Sequence, residues 1–186
     1  MPRLVLVSAP AGFGKTTLLT QWLAPFPPDE GAGPPAPARR VAWVSLGNDD
    51  AEPRAFLTHL VCAVQVAAPG VGAEALALLD GPRSLAVEDV VASLLDDLDC
   101  LGGETVLALD DVHVVDVPEV HAAVAFLLDH LPPRVTLAMT TRTRRLLRPA
   151  HSRIAMVGGV AVGVAQVGVD PGDVEPDDRS RYCAPQ

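Results

Sequence analysis

Residues 4–22, LVLVSAPAGFGKTTLLTQW, constrain the fold of this chain more than any other stretch. Leu4 to Val7 is an unbroken apolar run, too short for a helix and branched enough for a buried parallel strand. Ser8 to Gly14 is a turn holding two glycines. Thr16 to Leu23 then repeats Leu18, Leu19, Trp22 and Leu23 at helical spacing. In a strand, glycine loop and helix of this order, backbone N–H groups converge at a helix N-terminus, which is where a phosphate binds. The loop A-P-A-G-F-G-K-T departs from the pattern G-x-x-x-x-G-K-[ST] only at its first position, where Ala9 stands. Lys15 is the single lysine among 14 lysines and arginines. A compact ammonium on a flexible stem is the form of cation that phosphate loops use. The competing reading is an ordinary strand–turn–helix corner.

The same alternation continues downstream. Val41 to Leu46 reads as a second strand, Gly47 to Glu52 as a turn, and Pro53 to about Val66 as a helix burying Phe56, Leu57, Leu60, Val61 and Val64. Val87 to Leu98 is a helix with Glu88, Asp89, Asp96 and Asp97 on its solvated face. Thr105 to Leu109 and Val135 to Thr140 are further strands. Between them Asp116 is placed to cap a helix, with Pro118 in its first turn and Glu119 completing a capping box. The proline-rich stretch 25–40 is a solvated loop. Strands alternating with helices predict an α/β fold with a mostly parallel sheet covered on both faces.

The third strand ends in Asp110-Asp111 and the fourth runs into Arg142. Ligands of such sheets bind at the strand C-terminal ends, which is where Lys15, the aspartate pair and Arg142 all fall. One carboxylate there can sit beside a Mg²⁺ ion and the next can deprotonate an attacking water. Asp-Asp after a strand is also a simple turn signal. Arg142 can contact a terminal phosphate or stand exposed. His113 can position water or phosphate, or pack under the following helix.

Composition narrows the alternatives. A net charge of −9 gives no basic footprint for nucleic acid or an anionic membrane. No apolar tract reaches the roughly 20 residues of a membrane span. Cys62, Cys100 and Cys183 lie far apart without C-x-x-C spacing, and read as reduced thiols of a cytoplasmic protein, two of them core fillers.

SAPAGFGKTTLLTQW, AWVSL with the acidic loop and P-R-A-F-L after it, LALDDVHVV and LPPRVTLAMTTR together resemble the ATPase module of the large ATP-binding LuxR-type transcriptional regulators, within the STAND class of signalling ATPases. The resemblance runs from Leu4 to about Arg142. The loop beginning S-A-P-A-G and the short D-D-x-H signature are specific to it. It implies a P-loop NTPase three-layer sandwich of the AAA-like kind over residues 1–142, binding ATP or ADP with Mg²⁺. Ala11, Gly12, Phe13, Gly14, Lys15, Thr16 and Thr17 would hold the phosphates, with Lys15 at the β and γ groups. Thr16 and Asp110 would stand on the Mg²⁺ side, Asp111 would activate water, and Arg142 would sense the γ-phosphate. The implied role is a switch: ADP holds a closed form, ATP favours a self-associating one, and hydrolysis resets it.

The resemblance also implies parts that these 186 residues do not carry, namely an inducer-sensing repeat domain and a DNA-binding helix-turn-helix. The chain therefore reads as a truncated module without specific DNA binding of its own, the arginines at 142, 144, 145, 148 and 153 notwithstanding. Beyond Arg142 the pattern lapses, and 143–186 reads either as an atypical tail, disordered or out of frame, or as a divergent end strand near Ile154 to Val157. Two other functions fit the loop: a free-standing small-metabolite kinase and a non-functional gene remnant.

Overall fold

The computed structural model describes residues 3–24, 39–81 and 86–142, and the backbone of 152–157 and 160–165. Its elements are β1 (Leu4–Ser8), α1 (Lys15–Leu23), β2 (Arg40–Ser45), α2 (Pro53–Ala67), α3 (Ala73–Asp80), α4 (Val87–Cys100), β3 (Thr105–Asp110), α5 (Pro118–Asp129), β4 (Val135–Thr141), β5 (Ser152–Val157) and β6 (Val160–Ala165). Short 3-10 turns lie at Asn48–Ala51 and Val112–Val114.

The strands form one sheet in the order β2-β3-β4-β1-β6-β5. The four strands β2, β3, β4 and β1 are parallel to their neighbours, while β6 runs antiparallel to β1 and β5 antiparallel to β6. The fold is thus α/β, a P-loop NTPase three-layer sandwich with a mostly parallel sheet. Register aligns the strand ends, Ser8 opposite Thr141 and Ser45 opposite Asp110. The loop after β1 and the carboxylates after β3 therefore open on one edge.

The layers are unequal. On one face α1 covers Val5, Val7, Val106, Ala108 and Ala138 with Leu19, flanked by Trp22 and Trp43. On the other, Leu4, Leu107, Leu109, Leu137 and Met139 pack under the stripes of α2, α4 and α5. β3 and β4 are buried along their whole length. Coverage from both sides is why their sequences run apolar without alternation.

Helix α3 was not foreseen. It is only eight residues long, and its N-cap Gly72 sits at φ 79°. A Cβ there would lie 2.6 Å from Val61 Cγ1, and the Gly72 N–H donates to Asp97 Oδ2 at 2.7 Å. The turn is thus wedged between α2 and α4, and only glycine fits it. Helix α2 begins at Pro53 as expected, but its cap is Glu52, whose carboxylate accepts from the N–H groups of Arg54 and Ala55. The capping box expected at Asp116 does not form. Val117 is the N-cap of α5 without a side-chain hydrogen bond, and Asp116 is nearly fully exposed, 4.0 Å from His121 Nε2.

Cys62 and Cys100 are exposed rather than core fillers. Cys62 is a free thiol, whereas Cys100 is disulfide-bonded, against the expectation of reduced thiols throughout. Among the described residues no helix is long and apolar enough to cross a membrane. The proline-rich loop 25–38, the arginines at 144, 145 and 148, and the tail beyond 165 lie outside the described residues. Ile154 to Val157 does fall within β5.

Candidate nucleotide site

The loop between β1 and α1 is pinned at its start, where the N–H of Ala9 donates to the Thr141 carbonyl at 3.2 Å. Ala11, Gly12, Phe13 and Gly14 are exposed. Gly12 and Gly14 adopt φ of 81° and 70°, the left-handed region that lets successive N–H groups turn toward one concavity. Gly14 is the N-cap of α1, no side chain caps that helix, and none of its own first-turn residues is acidic. The free N–H groups there suit an anion.

Lys15 is buried, and its Nζ donates to the Pro10 carbonyl at 3.3 Å. Neither Lys15 nor the exposed Arg142 forms an ion pair with a carboxylate of the described residues. The ammonium has three protons, so donors remain for an incoming anion.

The aspartates meet the loop from across the sheet. Asp110, the buried last residue of β3, accepts from Thr16 Oγ1 at 2.9 Å through Oδ2. Its Oδ1 accepts from the Thr140 hydroxyl. Asp111 is the one non-glycine residue with positive φ among those described, at φ 57°. Aspartate tolerates that region better than most residues. The Asp111 N–H donates to Thr140 Oγ1 at 2.8 Å, and its side chain is about one-third exposed.

His113 lies in the turn that follows, mostly buried, with Nδ1 3.6 Å from Asp111 Oδ1 and without a hydrogen-bond partner. Burial, then the Arg142 charge and more weakly Lys15, hold its pKa below the ordinary 6.5; Asp111 and Asp110 oppose them without prevailing. The ring is therefore neutral at neutral pH.

Lys15, Thr16, Asp110, Asp111 and Arg142 thus gather at one edge, as the sequence leads one to expect, and Gly12, Phe13, Gly14 and Thr17 flank them. Thr140 was missed. Its only signal is a polar pair, Thr140-Thr141, closing a buried strand whose one other polar residue is Thr136. Among the described residues no three His, Cys, Asp or Glu side chains cluster as a metal site. A cleft of about 370 Å³, lined by Leu98, Leu101, Pro132, Pro133 and Arg134 among others, lies where β3 and β4 begin, away from these residues.

No family model matches the chain. It is homologous to a segment of the HTH-type transcriptional regulator MalT. The protein of Yersinia enterocolitica is 34% identical over 152 residues, 82% of this chain and 16% of that regulator. Those of Cronobacter sakazakii and Vibrio cholerae are 30% and 29% identical over the same shares. The chain therefore spans about 16% of the length of the curated relatives it matches. A match of 152 residues is longer than the stretch 1–142, so it reaches beyond Arg142.

Proposed function

We propose that this chain is the ATP-binding, slowly hydrolysing switch module of an HTH-type transcriptional regulator of the LuxR type, using Mg²⁺. The observation that carries this reading is the 2.9 Å contact between Thr16 Oγ1 and Asp110 Oδ2. It joins a hydroxyl at the phosphate loop to a buried carboxylate from another strand, the donor set that a nucleotide-bound Mg²⁺ uses. When bound, that ion neutralises phosphate charge.

The chain's own groups do the rest. The N–H groups of Gly12 to Thr17 and the start of α1 cradle the phosphates. Lys15 exchanges its carbonyl partner for the β and γ oxygens. Thr16 and Asp110 would hold the ion, Asp111 would accept the proton of water, and Arg142 would read the γ-phosphate. ADP holds one conformation and ATP another, in which the domain self-associates.

Two titrations test this. Binding of a fluorescent ATP analogue with and without Mg²⁺ should be tight for the wild type. Phosphate should then be released without any acceptor, which separates this role from a metabolite kinase. The kinase reading also lacks a basic lid, since α4 carries acidic residues and no Lys or Arg. Absence of both binding and release would defeat the proposal. Light scattering in ATP and in ADP reads self-association. Duplex DNA of any sequence should bind only weakly and with steep salt dependence.

A further inference from the structure

We infer that Thr140 is a positioning residue whose hydroxyl ties the orientations of Asp110 and Asp111 to the strand that leads into Arg142. This rests on the roles proposed above for those three residues. A hydroxyl has one proton and two lone pairs. The backbone N–H of Asp111 can only donate, so it takes a lone pair of Thr140 Oγ1, at 2.8 Å. The Thr140 proton is then directed to Asp110 Oδ1. Thr140 is fully buried, so water does not compete for either bond.

Two consequences follow for the chemistry. Asp110 is held through both oxygens, by Thr16 on one side and Thr140 on the other. When the Thr16 hydroxyl turns to a ligand, Oδ2 is released while Oδ1 keeps the carboxylate aimed. Asp111 meanwhile stays in its left-handed conformation because its N–H is anchored on a neighbouring strand. Arg142 lies two residues beyond Thr140, just past the end of β4. A pull on Arg142 by a terminal phosphate therefore reaches both aspartates through one side chain.

Thr140→Val removes the proton and lone pairs while keeping the shape, and Thr140→Ser keeps them. A charged hydrogen bond of ordinary strength implies a rise of about tenfold or more in the Mg²⁺ needed for half-maximal phosphate release in Thr140→Val, with turnover falling by a similar factor. Affinity for ADP without Mg²⁺ should change by less than about twofold, because the cradle is untouched. Thr140→Ser should restore both quantities, which a purely structural role would not require. A Thr140→Val protein with wild-type Mg²⁺ demand and turnover overturns the inference.

Hydrogen exchange supplies a readout that needs no nucleotide and no soluble Val variant. The Asp111 amide should be strongly protected in the wild type and in Thr140→Ser. Fast exchange there overturns the inference even if ATP is hydrolysed. Failure of the wild type to release phosphate defeats the functional reading instead.

Discussion

The ammonium of Lys15 folds back on its own loop, its Nζ 3.3 Å from the carbonyl of Pro10. On the proposed function the carbonyl gives way to phosphate, which adds the attraction of opposite charges to a bond the ammonium already strengthens. Lys15→Ala should therefore lose nucleotide affinity by about 10- to 100-fold, the range of a hydrogen bond to a charged group. The melting temperature without ligand should hardly move. Fluorescence titration and a melting curve with and without Mg·ATP check both halves. Retained affinity would remove the loop from the site.

Asp110 and Asp111 should separate in their phenotypes. Asp111→Asn keeps the backbone N–H that Thr140 holds and spares the phosphate cradle. It should bind ATP as the wild type does while phosphate release falls by at least about 10²-fold, the usual contribution of a general base. Asp110→Asn loses the charge on the buried partner of Thr16 and should raise the Mg²⁺ requirement. Equal losses of affinity in the two variants would contradict the division of roles.

Much of this site was legible because its signals are local. Leu4 to Val7, the glycines and Lys15 declare a strand, a turn and a helix start within a dozen residues. The apolar run before Asp110-Asp111 marks where β3 ends. What stayed hidden depends on packing across the sheet. Thr140 matters only because β3 and β4 lie side by side, and a threonine in a strand carries no mark of the bond it will make. Helix α3 escaped notice because glycines bracket it and eight residues give little periodicity. At α5, Asp116 and Glu119 have the right spacing for a capping box, yet the chain turns one residue later and Val117 takes the cap position.

Gly72→Ala should destabilise the domain without touching the nucleotide. The added methyl would meet Val61 Cγ1 at 2.6 Å and Leu94 Cδ1 at 3.2 Å, on a backbone with φ of 79°. Left-handed strain and overpacking each cost about 1–3 kcal/mol. Urea denaturation should show a clear drop in midpoint, while ATP affinity of the folded fraction stays put. A wild-type midpoint would mean that α2 and α4 yield more easily than their packing suggests.

The pH dependence of stability should carry the signature of His113. Its folded pKa lies below the ordinary 6.5 through burial and the Arg142 charge. Above 6.5 both folded and unfolded forms are neutral there and stability is unaffected. As pH falls below 6.5 the unfolded chain takes up a proton that the folded site refuses, so stability declines until the folded pKa is passed. His113→Gln should flatten that decline on the acid side. Denaturation midpoints for both proteins from neutral pH downward decide it; parallel curves would exclude His113 as the source.

The strands beyond Arg142 should matter unequally. β6 pairs antiparallel with β1 from Leu4 opposite Ala165 to Ser8 opposite Ala161. Ending the chain at Arg142 would bare that edge of β1, lower the melting temperature and promote edge-to-edge association. Under reducing conditions, which open the disulfide at Cys100, ending it at Val169 should leave the melting temperature unchanged, because residues 170–186 are rich in Pro and Asp and poor in apolar surface. Calorimetry and size-exclusion chromatography of the two truncations test this. Destabilisation by the shorter cut would show that the last residues belong to the fold, and would remove the case for a shifted reading frame.

Thr16 and Asp110 are separated by 94 residues, and Asp110 waits a further 30 for Thr140. Contacts so distant along the chain form late, after the loop-closure entropy between them has been overcome. During synthesis at about 5–20 residues per second, the loop emerges several seconds before its carboxylate partner exists. A nascent chain thus exposes the glycine loop before the groups that complete its surroundings exist. On the proposed function, the Mg²⁺-dependent step would therefore wait until the sheet has closed as far as β4, which brings Asp110 and Thr140 to the loop.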